Sequence, residues 1–147
     1  MELSVDEAGR LATLYKFGVL DSGFEERFDR LTRIAAAVFG TPISLISLVD
    51  ANRQWFKASF GLDVRETPRD ISFCTHAIQA TDVFVVCNAK TDGRFSANPL
   101  VTGKPNIRFY AGAPLMASNG HALGTFCVID DKPHASFFTI EERSPIR

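Results

Sequence analysis

The chain has 147 residues, of which 46% are hydrophobic and 22% charged, the size and composition of one globular domain with its own core. Sixteen lysines and arginines nearly balance seventeen acidic residues, and no basic run or stripe stands out, so the sequence argues against a nucleic-acid-binding protein. No stretch reaches the roughly eighteen apolar residues of a membrane span, and the first residues lack a secretory signal pattern, so we expect a single domain over residues 1–147, cytoplasmic and without membrane association.

The first part of the chain contains two predicted helices. Ser4 and Glu7 have the spacing of a capping box, in which two side chains satisfy free backbone N–H groups, and they open a predicted N-terminal helix within residues 1–18. Ser22 and Glu25 form a second box before a longer helix. Both helices carry apolar stripes that we expect to pack on the core: Val5, Ala8, Leu11, Ala12 and Tyr15 on the first, and Phe24, Phe28, Leu31, Ala35 and Val38 on the second.

The middle of the chain is rich in strand-forming residues. PISLISLVD (residues 42–50) and QWFKASF (54–60) contain many β-branched and aromatic residues, and the polar DANR between them predicts a hairpin turn. The first of these strands is apolar on both faces, so we expect it to be central in a sheet. After a polar connection, SFCTHAIQA (72–80) predicts a short helix and VFVV (83–86) a compact strand.

A long polar segment and a hairpin follow. The segment from Ala89 to Asn106 has little regular pattern, which predicts a binding or lid element or a hidden short helix. IRFYAGAPLMA (107–117) and HALGTFCVID (121–130) predict two strands. Asn119-Gly120 between them is a strong hairpin signal, because both residue types accept positive φ.

The order of these elements indicates the fold class. Strands adjacent in hairpins, with helices at the two ends, predict an α+β domain with a largely antiparallel sheet. A last capping box, Thr139 with Glu142, opens a C-terminal helix that is truncated at residues 139–147.

Four runs of unusual chemistry carry a family resemblance. RQWFKA, SFCTHAI, NPLV and RFYAGAPL lie in longer matching stretches that cover nearly the whole chain. They resemble a GAF domain of the kind found N-terminally in bacterial sensor histidine kinases and diguanylate cyclases. The resemblance implies a GAF-like central antiparallel sheet, with terminal helices on one face and a pocket roofed by loops and short helices on the other. It also implies signalling through ligand binding or dimer rearrangement, and it names no ligand.

Departures from related groups narrow the choice of ligand. Cys87 stands where this group usually has proline, and His134 where arginine is usual. The Asn-Lys, Phe and Asp-Glu signature of GAF domains that bind cyclic nucleotides is missing from the sequence. GAF domains that attach bilins usually join Cys directly to His, whereas Thr75 separates Cys74 from His76. Neither ligand is therefore expected.

Arg108 is the first candidate for the pocket, because a charged residue within a buried strand needs a partner or a ligand. Alternation predicts two faces for this strand: Arg108, Tyr110 and Gly112 towards the pocket, and Ile107, Phe109, Ala111 and Ala113 towards the terminal helices. Arg108 would either hold a carboxylate or phosphate with its planar fork or form an internal ion pair with Asp92 or another loop carboxylate. The loop with Arg94, Phe95 and Asn98 leads into this strand and supplies further candidates, although Arg94 and Asp92 can also pair locally.

Cys74, His76, Cys127 and Arg69 complete the candidate ligand-binding residues. Cys74 belongs to an apolar arc of its helix and is interpreted first as a small core residue, His76 as a local hydrogen-bonding group, and Arg69 as a solvated loop charge. Residues two apart on a helix point in different directions, so Cys74 and His76 do not predict a metal site. A thiol enzyme that reduces free methionine sulfoxide is the catalytic alternative, since GAF-fold members of that kind use cysteines around such a pocket. A reactive thiol needs a partly exposed, electropositive setting, however, and Cys127 lies in a strand that looks buried.

The sequence therefore predicts a non-catalytic sensory or regulatory module that binds a small molecule. We expect a homodimer formed through the stripe of the first helix, and an output protein such as a histidine kinase or a diguanylate cyclase as partner. A purely structural dimerisation module is the main alternative, ahead of the thiol enzyme. No cofactor is indicated, and three cysteines without a pairing pattern suit a reducing compartment.

Overall fold

A computed structural model describes residues 6–80 and 82–135. Its strands are β1 (Ile43–Val49), β2 (Arg53–Phe60), β3 (Glu66–Pro68), β4 (Phe84–Val86), β5 (Phe109–Met116) and β6 (Ala122–Asp130). Its helices are α1 (Glu7–Lys16), α2 (Glu26–Phe39), α3 (Cys74–Ala77) and α4 (Pro99–Thr102), with 3₁₀ turns at Arg69–Ile71 and Ala89–Thr91. The six strands form one sheet in the order β3-β2-β1-β6-β5-β4, antiparallel throughout, which confirms the predicted α+β fold class. Within the described residues, no helix is long and apolar enough to cross a membrane.

Helices α1 and α2 cover one face of the sheet. Leu48 of β1 and Trp55 of β2 pack there against Leu14 of α1. Further along the same face, Ala35 of α2 packs against Phe109 of β5. Because side chains alternate along a strand, the other residues of these strands point to the opposite face, which only the connecting segments cover.

The start of α1 differs from the predicted capping box. Asp6 is the N-cap residue and its carboxylate accepts a hydrogen bond from the backbone N–H of Gly9. Glu7 uses its carboxylate to pair with Arg10 and Arg69. Ser4 lies outside the described residues, as does the predicted helix at residues 139–147.

The start of α2 also differs. Glu25 is the N-cap residue and makes no capping hydrogen bond with its side chain, and Ser22 donates to the carbonyl of Val19. Lys57, buried on β2, binds both predicted box residues: its ammonium donates to Ser22 Oγ at 2.8 Å and lies 2.7 Å from the Glu25 carboxylate. The box was wrong because a buried cation from a distant strand takes both acceptors, which local spacing cannot reveal.

The buried face of α2 was predicted incorrectly as well. Its buried residues are Thr32, Ala35 and Ala36, small side chains that let the helix lie close to the sheet. The larger apolar residues Leu31, Ile34 and Val38 are exposed by 42%, 52% and 63%. An apolar stripe therefore remains on the outer side of this helix.

The connections contain more regular structure than the sequence suggests. Strand β3, in what we expected to be a polar connection, pairs with the first residues of β2 at the sheet edge. Three residues are too few for a recognisable alternation, and Pro68 is not typical of strands. The long segment from 89 to 106 contains a 3₁₀ turn and α4, so the expected hidden helix is confirmed.

Strand β5 begins at Phe109, two residues later than predicted. Ile107 and Arg108 precede the strand, after a turn at Asn106 with a positive φ of 62°, so the alternation that we had assumed from Ile107 onwards does not extend to them. Ile107 consequently packs with the core of the opposite face, next to Tyr110, rather than with the helices. Phe109 and Ala111 do pack on the helix face as predicted.

Candidate functional site

The face of the sheet opposite α1 and α2 is hollow. A cavity of about 520 Å³ lies there beneath the connecting segments. Alternate residues of β1 and β6 point into it, namely Ile43, Leu45, Cys127 and Ile129. Leu62 and Val64 after β2, Phe73 before α3 and Leu100 in α4 close it from the other side. The walls are mostly apolar, as in most small-molecule sites.

Few polar groups line this cavity. Gln54 is one, but its Oε1 accepts hydrogen bonds from Ser47 and Ser72, and its Nε2 donates to Thr67 at 2.7 Å. The amide is therefore already satisfied within the protein. Lys104 supplies the only charged side chain among the described lining residues. The cavity consequently suits a small molecule that is mainly apolar.

A cluster of thiols and hydroxyls lies at the base of the cavity. Cys74 Sγ is 3.2 Å from Tyr110 Oη and 3.0 Å from Thr125 Oγ1, and Cys127 follows Thr125 by two residues on the same face of β6. These four residues, which we call the thiol cluster, are each at most 2% exposed. Gly112 makes room for the phenol, because a Cβ at that position would collide with the Tyr110 ring.

The two thiols of this cluster differ in acidity. Burial alone would raise the pKa of Cys74, but hydrogen bonds from Cys127, Thr125, Tyr110 and Ser47 outweigh burial and lower it to about 6. The hydrogen bond to Cys74, together with burial, raises the pKa of Cys127 well above its ordinary value. Donors thus converge on Cys74, and Cys127 keeps its proton.

Three predicted site residues lie behind the cavity wall rather than in it. The Phe95 ring stacks on Phe73 with ring centroids 4.1 Å apart. His76 meets the Phe95 ring edge-on, and burial, followed by repulsion from Arg94, lowers the pKa of this imidazole. Arg94 pairs with Asp92 at 2.6 Å, which confirms the local pair that their spacing suggested. These groups stiffen the roof of the cavity.

Asn98 joins two parts of that roof. Its Oδ1 accepts the backbone N–H of Leu100 and caps α4, while its Nδ2 donates to the carbonyl of Ile71 at 3.0 Å. One side chain thereby ties the segment before α3 to the segment around α4. Asn98 is a structural tie, and it does not line the cavity.

The structure supports neither of the two roles that the sequence predicted for Arg108. Its Nη1 donates to the backbone carbonyls of Val101 and Ile107, at 2.8 and 3.0 Å. The ion pair with Asp92 is wrong, since that carboxylate pairs with Arg94. Arg108 also lies outside the cavity lining, because it precedes β5 and the strand alternation does not extend to it. Its charge is held by carbonyl oxygens of the roof.

Arg69 belongs to a second polar cluster, formed with Glu7 and Arg10, which we call the ionic cluster. Arg69 Nη1 lies 2.6 Å from the Glu7 carboxylate, and Arg10 Nε lies 3.0 Å from it. Arg10 is fully buried and also donates to the carbonyls of Val49 and Ala122. Burial raises the pKa of Glu7, but hydrogen bonds from both arginines outweigh it and lower the pKa to about 2. Arg69 therefore joins α1 to the roof without reaching the cavity.

Of the predicted site residues, the structure places Cys74, Tyr110 and Cys127 at the cavity and the others around it. Sequence reasoning missed Thr125 and most of the apolar lining. A signal existed for Leu62 and Val64, two apolar residues at strand spacing within a polar connection. Among the residues described, no group of three or more His, Cys, Asp or Glu side chains could hold a metal ion.

Comparisons with known proteins agree with this fold. A cyclic di-GMP phosphodiesterase of Pseudomonas aeruginosa is 51% identical over 128 residues, which are 87% of this chain and 22% of that protein, so the chain spans about a fifth of its relative. The type II free methionine-R-sulfoxide reductase of Thermoplasma acidophilum has a similar structure, with a TM-score of 0.62 at 14% identity, covering 90% of this chain and 86% of that one.

A second solved structure is similar at the level of the fold. The GAF domain of an Acinetobacter phosphoenolpyruvate-protein phosphotransferase gives a TM-score of 0.60 at 18% identity, covering 98% of this chain and 87% of that one. The model of the GAF domain family matches residues 23–144, which include the whole sheet and the cavity. The chain belongs to the GAF domain family.

Proposed function

We propose that this GAF domain is a non-catalytic sensory or regulatory module whose cavity binds a small, mainly apolar molecule. The cavity itself is the observation that carries the proposal: about 520 Å³ lies within the roughly 300–1,000 Å³ typical of ligand sites, and its walls are apolar. The described lining carries one cation, Lys104, and Arg108 is engaged elsewhere. An anionic ligand, one of the two alternatives that the sequence left open for Arg108, is therefore disfavoured against a neutral one.

The proposed output is a separate domain or protein of bacterial signalling. Histidine kinases and diguanylate cyclases are candidates from the family resemblance, and the Pseudomonas aeruginosa relative adds a cyclic di-GMP phosphodiesterase. The module would work in the cytoplasm, where its three free cysteines stay reduced.

Signalling through a homodimer is part of the proposal. The predicted surface on α1 is poorly suited, since Leu11 packs on the core cluster of Leu14 and the Tyr15 hydroxyl bonds Asp50 at 2.7 Å. Val5 lies outside the described residues. The exposed stripe of Leu31, Ile34 and Val38 on α2 is a better interface, because exposed apolar residues on one helix face tend to find a partner.

Ligand binding is tested by a thermal shift screen with small apolar metabolites, since a ligand of the folded state raises the melting temperature. Val64→Trp at the cavity rim should weaken any hit at least about tenfold, as a bulky ring fills the entrance. Val83→Trp is the matched control, because Val83 is similarly exposed but outside this cavity. Hits that survive Val64→Trp unchanged, or no hits at all, would favour the structural alternative.

Dimerisation is tested by sedimentation of the protein across a concentration series. Ile34→Lys should give a monomer, because a charge in an apolar interface is costly to desolvate. Met116→Lys, at a residue of similar exposure on β5, should leave the dimer intact. A monomeric starting protein would remove this part of the proposal and leave ligand binding untouched.

A further inference from the structure

We propose that Cys74 and Cys127 are a site of oxidative modification, at which a small uncharged hydroperoxide converts the two thiols into a disulfide within the chain. The site lies at the base of the cavity, and its chemistry requires no other ligand there. It therefore goes beyond the proposed sensory function and stands or falls independently of it.

The first support is the placement of two free thiols at one site by the fold. Cys74 comes from α3 in the roof and Cys127 from β6 in the sheet. Cys74 Sγ lies 3.0 Å from Oγ1 of Thr125, which is two residues before Cys127 on the same face of β6, and both cysteines belong to one buried cluster. Both are free cysteines and both line the cavity. Cys87, the third cysteine, is half-buried after β4 and does not line it. Of the three cysteines, the fold thus brings Cys74 and Cys127 to the cavity.

The second support is the asymmetry of the hydrogen bonds. Tyr110 and Thr125 both contact Cys74 Sγ, at 3.2 and 3.0 Å, whereas no such hydroxyl contact to Cys127 is seen among the described residues. Donors that converge on a sulfur stabilise its thiolate, which is the nucleophilic form. Cys74 is accordingly the attacking sulfur and Cys127 the one that resolves the intermediate, in agreement with the opposite directions of their pKa shifts.

The reaction has two balanced steps. The Cys74 thiolate attacks one peroxide oxygen, an S–O bond forms, the O–O bond breaks, and the leaving alkoxide or hydroxide takes a proton to become an alcohol or water. Cys127, once its proton has left, attacks the sulfur of the resulting sulfenic acid, an S–S bond forms, and water leaves. The two sulfurs together lose two electrons, and the hydroperoxide gains them.

The cavity decides which oxidant reaches the sulfurs. Cys74 and Cys127 are 2% and 1% exposed, so a reagent must come through the cavity rather than from the surface. The apolar walls admit a small neutral hydroperoxide, whereas desolvating a charged molecule there is costly. Oxidised glutathione, which is large and charged, should be excluded.

The test exposes the full chain to hydrogen peroxide, to tert-butyl hydroperoxide and, separately, to oxidised glutathione. Thiols are then titrated under denaturing conditions, and the linked peptides are mapped by mass spectrometry. We expect both hydroperoxides to remove two of the three thiols, with a mass loss of about 2 Da and a peptide pair joining Cys74 to Cys127. Oxidised glutathione should remove neither of these two thiols, and dithiothreitol should restore them after peroxide.

Variants assign the roles of the two sulfurs. Cys87→Ser should still form the disulfide, whereas Cys74→Ser should form none. Cys127→Ser should stop at the sulfenic acid of Cys74, which dimedone traps. Circular dichroism confirms that each variant is folded, and the peptide map of the unsubstituted protein does not depend on them. Retention of all thiols at peroxide concentrations that oxidise free cysteine, a link through Cys87, or equally fast oxidation by oxidised glutathione would overturn the proposal.

Discussion

The ionic cluster and the thiol cluster are both buried polar groups on this sheet, yet they differ in chemistry and surroundings. In the ionic cluster, Glu7 faces two arginines, and Arg10 also has backbone carbonyls as partners. In the thiol cluster, thiols and hydroxyls meet at distances of 3.0–3.3 Å at the base of an apolar cavity, with no charged side chain of another residue as partner in these contacts. The charges of the ionic cluster are paired within the protein, whereas the thiol cluster borders the open volume of the cavity.

This difference shows which buried polar groups indicate a binding or reaction site. A buried charge is costly, so the fold pairs it, and a paired charge has little capacity left for a ligand. Neutral thiols and hydroxyls cost less to bury and can remain beside a cavity. The sequence draws attention to Arg69, Arg94 and Arg108 as site residues. In the structure the cavity is lined by Cys74 and Cys127 instead.

The largest expected effect comes from breaking the ionic cluster. Glu7→Ala leaves the fully buried Arg10 without its carboxylate and should lower the free energy of unfolding by about 3 kcal/mol, measured by urea denaturation. Glu26→Ala removes an exposed ion pair with Arg33 and should lower the free energy of unfolding far less, because solvent screens an exposed pair. Equal losses in the free energy of unfolding of the two variants would contradict the distinction between buried and exposed ion pairs.

The same cluster should make stability depend on pH at the acid end. The pKa of Glu7 is about 2 in the folded protein against an ordinary value of 4.5, so its stabilisation is complete above about pH 4.5 and is lost as the pH falls towards 2. Glu7→Ala should flatten part of this acid decline in thermal melts from pH 5 to pH 2. An unchanged profile in the variant would show that other carboxylates govern the decline.

Arg108 extends the comparison to a cation that hydrogen-bonds to backbone carbonyls rather than to a carboxylate. Arg108→Met removes its two hydrogen bonds and should cost about 2 kcal/mol, without leaving a carboxylate buried alone. Any ligand affinity found for the cavity should stay the same, because Arg108 does not line it. A loss as large as that of Glu7→Ala, or a loss of ligand binding, would restore one of the roles predicted from the sequence.

The smallest expected change in stability lies in the thiol cluster. Thr125→Val removes a hydroxyl next to Cys74 and should cost about 1 kcal/mol. It should also raise the pKa of Cys74. This pKa is measured from thiolate absorbance as a function of pH in a Cys87→Ser background. Ser44→Ala is the control, since Ser44 is a buried hydroxyl that bonds the backbone carbonyl of Cys127 rather than a sulfur. Equal pKa values in the two variants would show that Thr125 does not tune Cys74.

The fold was largely predictable from the sequence because its signals are local. The strand-forming residues of β1 and β2 and the polar turn between them could be read from short windows. The failures share a cause. Lys57 takes the acceptors of Ser22 and Glu25, and β5 begins only at Phe109, and short-range spacing shows neither.

The candidate site was less predictable for the same reason. Cys74 and Cys127 were both named as candidates, but only the packing of α3 on β6 shows that they lie at one site. Thr125 looks like an ordinary strand residue in the sequence, and it becomes important only through its distance to Cys74. The cavity is a volume enclosed by distant segments, which composition and spacing do not encode.

Arg69 has one further consequence, which concerns the transmission of movement. It lies in the 3₁₀ turn just before α3, and its guanidinium forms an ion pair with Glu7 on α1. The short segment from Arg69 to Cys74 therefore connects the base of the cavity to α1 on the opposite face of the sheet. We expect a disulfide or a ligand that displaces Cys74 to shift this segment and, through the pair of Arg69 with Glu7, the start of α1.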